Sequence, residues 1–131
     1  MPLSALRDDA LTTTADTFAL RLSLPWIRSL PLSSFSALVV EVDGTARATQ
    51  IRLGDRTISD TTDESGWWHL QDRLVVVADV PLGEGPHEVA VAFRLAIPYL
   101  PMGGSPLEIP HREIATLDAR RELAFAGEDV R

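Results

Sequence analysis

His69, His87 and His111 are the side chains of this chain best suited to ligate a metal or move a proton near neutral pH. Their spacing works against a metal. No two stand as His-x-His on a strand or four apart on a helix, the arrangements that aim two imidazoles at one ion. No metal site made by this chain alone is expected. There is no cysteine, so thiol catalysis, thiolate metal sites and disulfides are excluded. Asp60, Asp63 and Glu64 are close enough to suggest paired carboxylates, but they lie among Ser and Thr in a polar stretch where such charges ordinarily face water. No Gly-x-Ser-x-Gly elbow, Walker loop or dinucleotide fingerprint is present, and no residue is assigned a catalytic role.

Recognition is better supported than catalysis. Trp26 and Tyr99 each stand against a proline in a segment that follows a strong strand pattern, and large rigid aromatics supply contact area at low entropic cost. Arg28, bracketed with Trp26 between Pro25 and Pro31, carries a planar fork of donors suited to a carboxylate. His111 follows a Pro/Gly-rich stretch, beside Arg112 and Glu113, and takes either a structural or a ligand-facing role. Trp26, Arg28, Tyr99 and His111 are therefore the candidates to face a partner or substrate. The competing reading has both aromatics folding back to cap the ends of the chain's own sheets. Trp67 and Trp68 are read as core rather than contact. Because adjacent strand residues point to opposite faces, at most one of them enters the core on a given side.

The elements that position these residues are strands. Phe18, Leu20, Leu22 and Leu24 alternate with Ala19, Arg21 and Ser23, which predicts a strand with one apolar face and one face toward water. Pro25 then removes a ladder donor and opens the rigid loop 25–31. Residues 36–43 are β-rich and meet Asp43-Gly44, a two-residue hairpin signal, with residues 45–53 as the return strand and Gly54-Asp55 closing it. Residues 56–66 are polar and acidic, as in an exposed loop. Residues 73–80 read as a buried strand. The longest alternation runs over 88–97: Val89, Val91, Phe93, Leu95 and Ile97 inside, with a mostly alanine face opposite that something should pack against closely. Residues 98–110 read as a second Pro/Gly-rich loop. Residues 111–117 predict a last strand, and residues 118–125 either a short helix or a continuing extended tail.

Strand signals at short spacing without an amphipathic helix predict an all-β fold, a single antiparallel β-sandwich of the jelly-roll kind over residues 1–131, with a closed barrel as the alternative. Residues 1–16 form an extended arm in this scheme and residues 111–131 a strand and tail. A chain of 131 residues builds one domain with a real core, and 45% hydrophobic with 24% charged residues lies far from the composition of disordered chains. A net charge of −7 argues against a nucleic-acid partner, which needs a concentrated basic footprint. All 12 basic residues are arginine, a bias that base composition explains as readily as function. The N-terminus lacks a basic start and apolar run, and no segment approaches the ~20 apolar residues needed to span a bilayer, so the chain reads as cytoplasmic with no membrane partner.

Four stretches carry a resemblance: 22–34 (LSLPWIRSLPLSS), Val42-Asp43-Gly44, Trp67-Trp68 followed by Asp72-Arg73, and 91–99 (VAFRLAIPY). Together they resemble the small β subunits of C-glycoside deglycosidases over most of residues 18–99. The resemblance implies a heteromeric enzyme that cleaves the carbon-carbon bond between a sugar and an aromatic aglycone, acting on the 3-oxo sugar made by a separate oxidoreductase. It implies a large subunit similar to sugar isomerases, a TIM barrel with a divalent metal, typically manganese. The small subunit is then a β-sandwich with no cofactor or metal of its own, inactive alone in this carbon-carbon lyase. No catalytic residue carries over, and the part after Pro110 departs from the pattern. A free-standing carbohydrate-binding module and a protein-interaction β-sandwich remain the alternatives.

Overall fold

The computed structural model describes residues 3–121. It is all-β: eleven strands and one 3-10 turn over Leu32–Ser34. The strands are β1 (Leu11–Thr13), β2 (Phe18–Ser23), β3 (Leu30–Pro31), β4 (Phe35–Val42), β5 (Thr45–Arg47), β6 (Gln50–Leu53), β7 (Arg56–Ile58), β8 (Trp67–Trp68), β9 (Arg73–Ala78), β10 (Gly85–Met102) and β11 (Ser105–Arg121). Nine form one mixed sheet in the order β5-β4-β10-β11-β1-β2-β9-β6-β7, and β3 pairs with β8 apart from it. Every pairing is antiparallel except β1 with β11. No described helix is long and apolar enough to cross a membrane.

The sheet is rolled up on itself. β5 is at one edge of the strand order and β6 next to the other, yet only Ala48 and Thr49 separate them, so the two ends lie within about 11 Å of chain. The two halves thereby enclose one core. Phe18, Leu20 and Leu22 of β2 meet Val89, Val91, Phe93, Leu95 and Ile97 of β10, the residues whose alternation placed them inside. Phe35, Trp68 and Phe93 form its aromatic centre, with Phe35 5.0 Å from Phe93 and 5.7 Å from Trp68 between ring centroids. The Asp43-Gly44 hairpin forms as expected: φ is 52° at Asp43 and 81° at Gly44, the positive values its tight turn requires.

Several local expectations change. The return strand predicted over 45–53 is two strands, because the chain leaves β4 at Arg47 and joins the opposite edge of the sheet at Gln50. The arm over 1–16 contains β1, and the polar loop 56–66 begins with β7. The Pro/Gly-rich segment 98–110 is the end of a long hairpin, turned at Gly103 and Gly104, whose φ values are 61° and 87°. Its register slips between Ile97 and Pro101, where prolines deprive the ladder of donors. The last strand predicted over 111–117 is part of β11, which stays extended through Arg121, so residues 118–121 are not helical; the rest of that segment lies outside the described residues.

The largest correction concerns β2. Its second face was expected to meet water, but Ala19, Arg21 and Ser23 are all buried, Arg21 to 1% exposure. The Arg21 guanidinium donates to Thr12 Oγ1 of β1 at 2.9 Å, while the Arg21 and Ser23 amides donate to the carbonyls of Ala10 and Ala5. The N-terminal segment is itself fastened to β11. Glu113 accepts from the Ser4 hydroxyl at 2.5 Å and from the Ala5 and Leu6 amides at 2.8 and 3.0 Å.

Candidate functional site

Three of the four residues singled out from sequence come together at one end of the sheet. Leu24 and Leu30 are buried and fix the two ends of the loop that follows β2, while Pro25 stiffens its start. Trp26, half-buried against the core, donates Nε1–H to the Tyr99 hydroxyl at 2.5 Å. Tyr99 stands in the slipped part of β10, where the break in register frees it from strict alternation. The guanidinium carbon of Arg28 lies 5.1 Å from the centroid of the Tyr99 ring, a cation–π contact. Its fork of donors stays exposed, and among the described residues it has no carboxylate partner. The two proline-rich segments, separated by some seventy residues, thus build one surface.

A third segment supports it. The Leu70 amide donates to Ser29 Oγ at 2.9 Å, and Pro31 and Leu30 pair with Trp67 and Trp68 across β3 and β8. Behind this, buried Thr61 bonds the carbonyls of Leu32 and Phe35 at 2.6 and 3.1 Å, and the Leu32 amide donates to Gly66 O at 3.0 Å. Gly66 packs closely on the same segment: a Cβ there would lie 3.2 Å from Leu32 Cδ1, which would have to give way by a few tenths of an ångström. The tied segments leave large apolar side chains outside, namely Ile27 (66% exposed), Trp67 (51%), Leu70, Tyr99 and Leu100. Ile27, Leu70 and Leu100 were not legible as contacts, since an isolated Leu or Ile next to a proline or a polar run reads equally well as core. Trp68 is buried to 1% and donates its Nε1–H to Asp72 O, so the tryptophan pair splits between the two faces as strand geometry demands.

His111 stands apart. It pairs with Phe93 in the ladder, its ring 5.2 Å from the Phe93 centroid, and its Nε2 is 2.7 Å from Glu113 Oε1. Burial pushes the Glu113 carboxyl up, but bonds from Ser4, Ala5, His111 and Leu6 outweigh it and hold the group below its ordinary range. His87 bridges two acceptors, Asp43 Oδ2 and the Gly83 carbonyl, each at 2.6 Å. Those bonds raise its pKa, and the bond to His87 lowers that of Asp43. His69 is exposed. Among the described residues no three His, Asp or Glu side chains converge on a point that could hold a metal ion. What the geometry at the Trp26 end offers is a preorganised apolar surface with one exposed guanidinium, that of Arg28.

No protein-family model matches the chain. Individual proteins do. It is 34% identical to the 3'-dehydrocarminate deglycosidase beta subunit of a Microbacterium species, over 88% of this chain and 93% of the relative. It is 30% identical to the C-glycoside deglycosidase beta subunit of Arthrobacter globiformis, over 86% and 92% of the two chains. The chain belongs to the C-glycoside deglycosidase beta subunits. A third member, from Microbacterium trichothecenolyticum, is 31% identical over 76% of this chain and 82% of its own. For a C-glycoside deglycosidase beta subunit, the exposed apolar cluster at the Trp26 end is the feature to weigh first, because the designation implies another subunit.

Proposed function

We propose that this chain is the small subunit of a heteromeric, cytoplasmic C-glycoside deglycosidase, a carbon-carbon lyase that frees the aromatic aglycone of 3-oxo C-glycosides. The observation that carries the reading is its match, over most of both chains, to proteins named as beta subunits of such enzymes. One relative is named for a 3'-dehydro substrate, which accords with a 3-oxo sugar. In this reading the large subunit is a sugar-isomerase-like TIM barrel that holds the divalent metal, manganese, as the resemblance implies.

The Trp26, Arg28 and Tyr99 end docks on that subunit. Prolines, the Trp26–Tyr99 bond and the Ser29–Leu70 bond preset the surface, so binding loses less conformational entropy than docking a flexible loop. Arg28, exposed and stacked on Tyr99, pairs with a carboxylate of the large subunit. His111, bonded to Glu113 and paired with Phe93 four residues from Ile97, where the register slip begins, lies beside this end rather than among its anchors.

Co-expression with the large subunit and co-purification test this. Arg28→Ala and Ile27→Ala should each weaken assembly by about 2 kcal/mol or more, the scale of an interface hot spot, with unchanged thermal unfolding of the isolated chain. Trp26 is a poorer probe because its ring also packs on the core. Variants that assemble normally place the interface elsewhere. Turnover of a 3-oxo C-glycoside by the isolated chain at the rate of the complex would refute the subunit reading itself.

A further inference from the structure

The outer face of β4, β10 and β11 takes no part in the site above, and its side chains are arranged to complement themselves. The ladder sets two rows of three across it: Val39, Ala92 and Arg112, then Glu41, Ala90 and Ile114. Their chain neighbours Val40 and Val91 point into the core, which leaves these six outside. Val39 is 51% exposed and Ile114 70%, and the face forms a shallow concavity of about 570 Å³. The corners of this rectangle alternate. Arg112 and Glu41 occupy one diagonal, Val39 and Ile114 the other, with two alanines between them that let a facing backbone come close.

Consider a two-fold axis that runs above this face, parallel to the sheet and along the Val39–Ile114 diagonal. The corners are two strand spacings of about 4.8 Å apart in one direction and about 7 Å apart in the other, so rotation brings Arg112 of one copy to within about 4 Å, in projection, of Glu41 of the other, twice, an offset that two long side chains span. The same rotation brings each apolar corner close to its own counterpart. Among the described residues neither Glu41 nor Arg112 is in an ion pair, so both charges are available to a second molecule. The face also favours being covered for a physical reason: exposed Val39 and Ile114 flanking half-buried alanines form an apolar strip across this concavity.

We propose that this face is the contact between two copies of the chain, related by that two-fold axis. It stands about seven residues, roughly 23 Å of strand, from Tyr99, so it is separate from the surface proposed for the large subunit and would join two small subunits while both are docked. Three strands offer less than the ~800 Å² per partner of a stable interface, so the isolated chain pairs weakly and in proportion to its concentration.

Sedimentation velocity of the full chain over a concentration series tests it. The mean mass should rise from monomer toward dimer. Arg112→Glu and Glu41→Arg alone should each raise the dissociation constant by about tenfold or more through like-charge contact, and the double variant should regain the wild-type value to within about threefold. Only a contact between identical faces restores itself in this way. Ile114→Ser should abolish pairing without altering the circular dichroism spectrum, since the side chain is outside the core. A monomer at every concentration up to about 0.5 mM, far above the range of specific pairing, overturns the proposal. So does a double variant no better than either single one, and so do single variants that fail to co-purify with the large subunit with no rescue in the double, which would assign the face to that subunit.

Discussion

β2 and β10 carry the same sequence signal and end in opposite surroundings. Each alternates large apolar residues with small or polar ones, and each sends its apolar set into the shared core. On the other face, Ala19, Arg21 and Ser23 of β2 are buried, whereas Ala90 and Ala92 of β10 are partly exposed and Arg94 is exposed. Alternation therefore reports which face meets the core and is silent about what covers the other. β2 lies between β1 and β9, with N-terminal residues 5–12 supplying partners for its backbone and for Arg21. β10 lies between β4 and β11, and among the described residues nothing lies over its alanine face. One half of the rolled sheet is finished on both sides, and the other is left open on one.

The arginine on each second face gives the largest expected difference. Arg21→Ala removes one of the largest fully buried side chains and strands the groups it bonds, and should destabilise the chain by about 3 to 5 kcal/mol in urea unfolding. Arg94→Ala should stay within about 0.5 kcal/mol of the parent. Equal effects would mean that the two faces are covered alike in solution. The adjacent tryptophans sharpen the same contrast within one short strand. Trp68→Ala should cost about 3 to 5 kcal/mol by opening the centre of the Phe35, Trp68 and Phe93 cluster, somewhat less where the cavity collapses. Trp67→Ala should leave stability nearly unchanged and instead weaken co-purification with the large subunit, because its side chain lies in the exposed apolar surface.

These pairs also locate what was legible in the sequence. The β10 alternation, the Asp43-Gly44 turn and the splitting of the tryptophans follow from periodicity and φ preferences, which are local. The exit of the chain from β5 to β6 is not local: Ala48 and Thr49 carry no turn signature, and the switch of edge is decided by how the rolled sheet brings its two ends together. The hairpin over 98–110 was hidden for a related reason. Its prolines and glycines argue for a loop, yet cross-strand pairing with the other half of the hairpin keeps the backbone extended up to Gly103. Of the candidate site, Trp26, Arg28 and Tyr99 were legible as residue types, but their meeting depends on that hairpin reaching the end of β2, which no spacing in the chain reveals.

The smallest effect belongs to the turn where the open half of the sheet ends. His87 spans Asp43 and the Gly83 carbonyl with both ring nitrogens, an arrangement only the doubly protonated ring satisfies. The folded state accordingly raises the His87 pKa and lowers that of Asp43. For His87 the contribution is fully present below its unfolded value of about 6.5 and fades as pH rises through the folded value. For Asp43 it is present above an unfolded value of about 4 and fades as pH falls through the folded one. The bridge therefore stabilises most between about pH 4 and 6.5. Melting temperature against pH should show a shallow plateau over that window with a decline on the alkaline side, and His87→Gln should flatten the decline. The Asp43 carboxylate also caps the Glu88 amide, so Asp43→Asn should keep part of the turn while weakening the pH dependence to what the His87–Gly83 bond sustains. A parent curve already flat through pH 8 would mean that solvent breaks the bridge at this exposed corner, and that the open half of the sheet is held by its ladder alone.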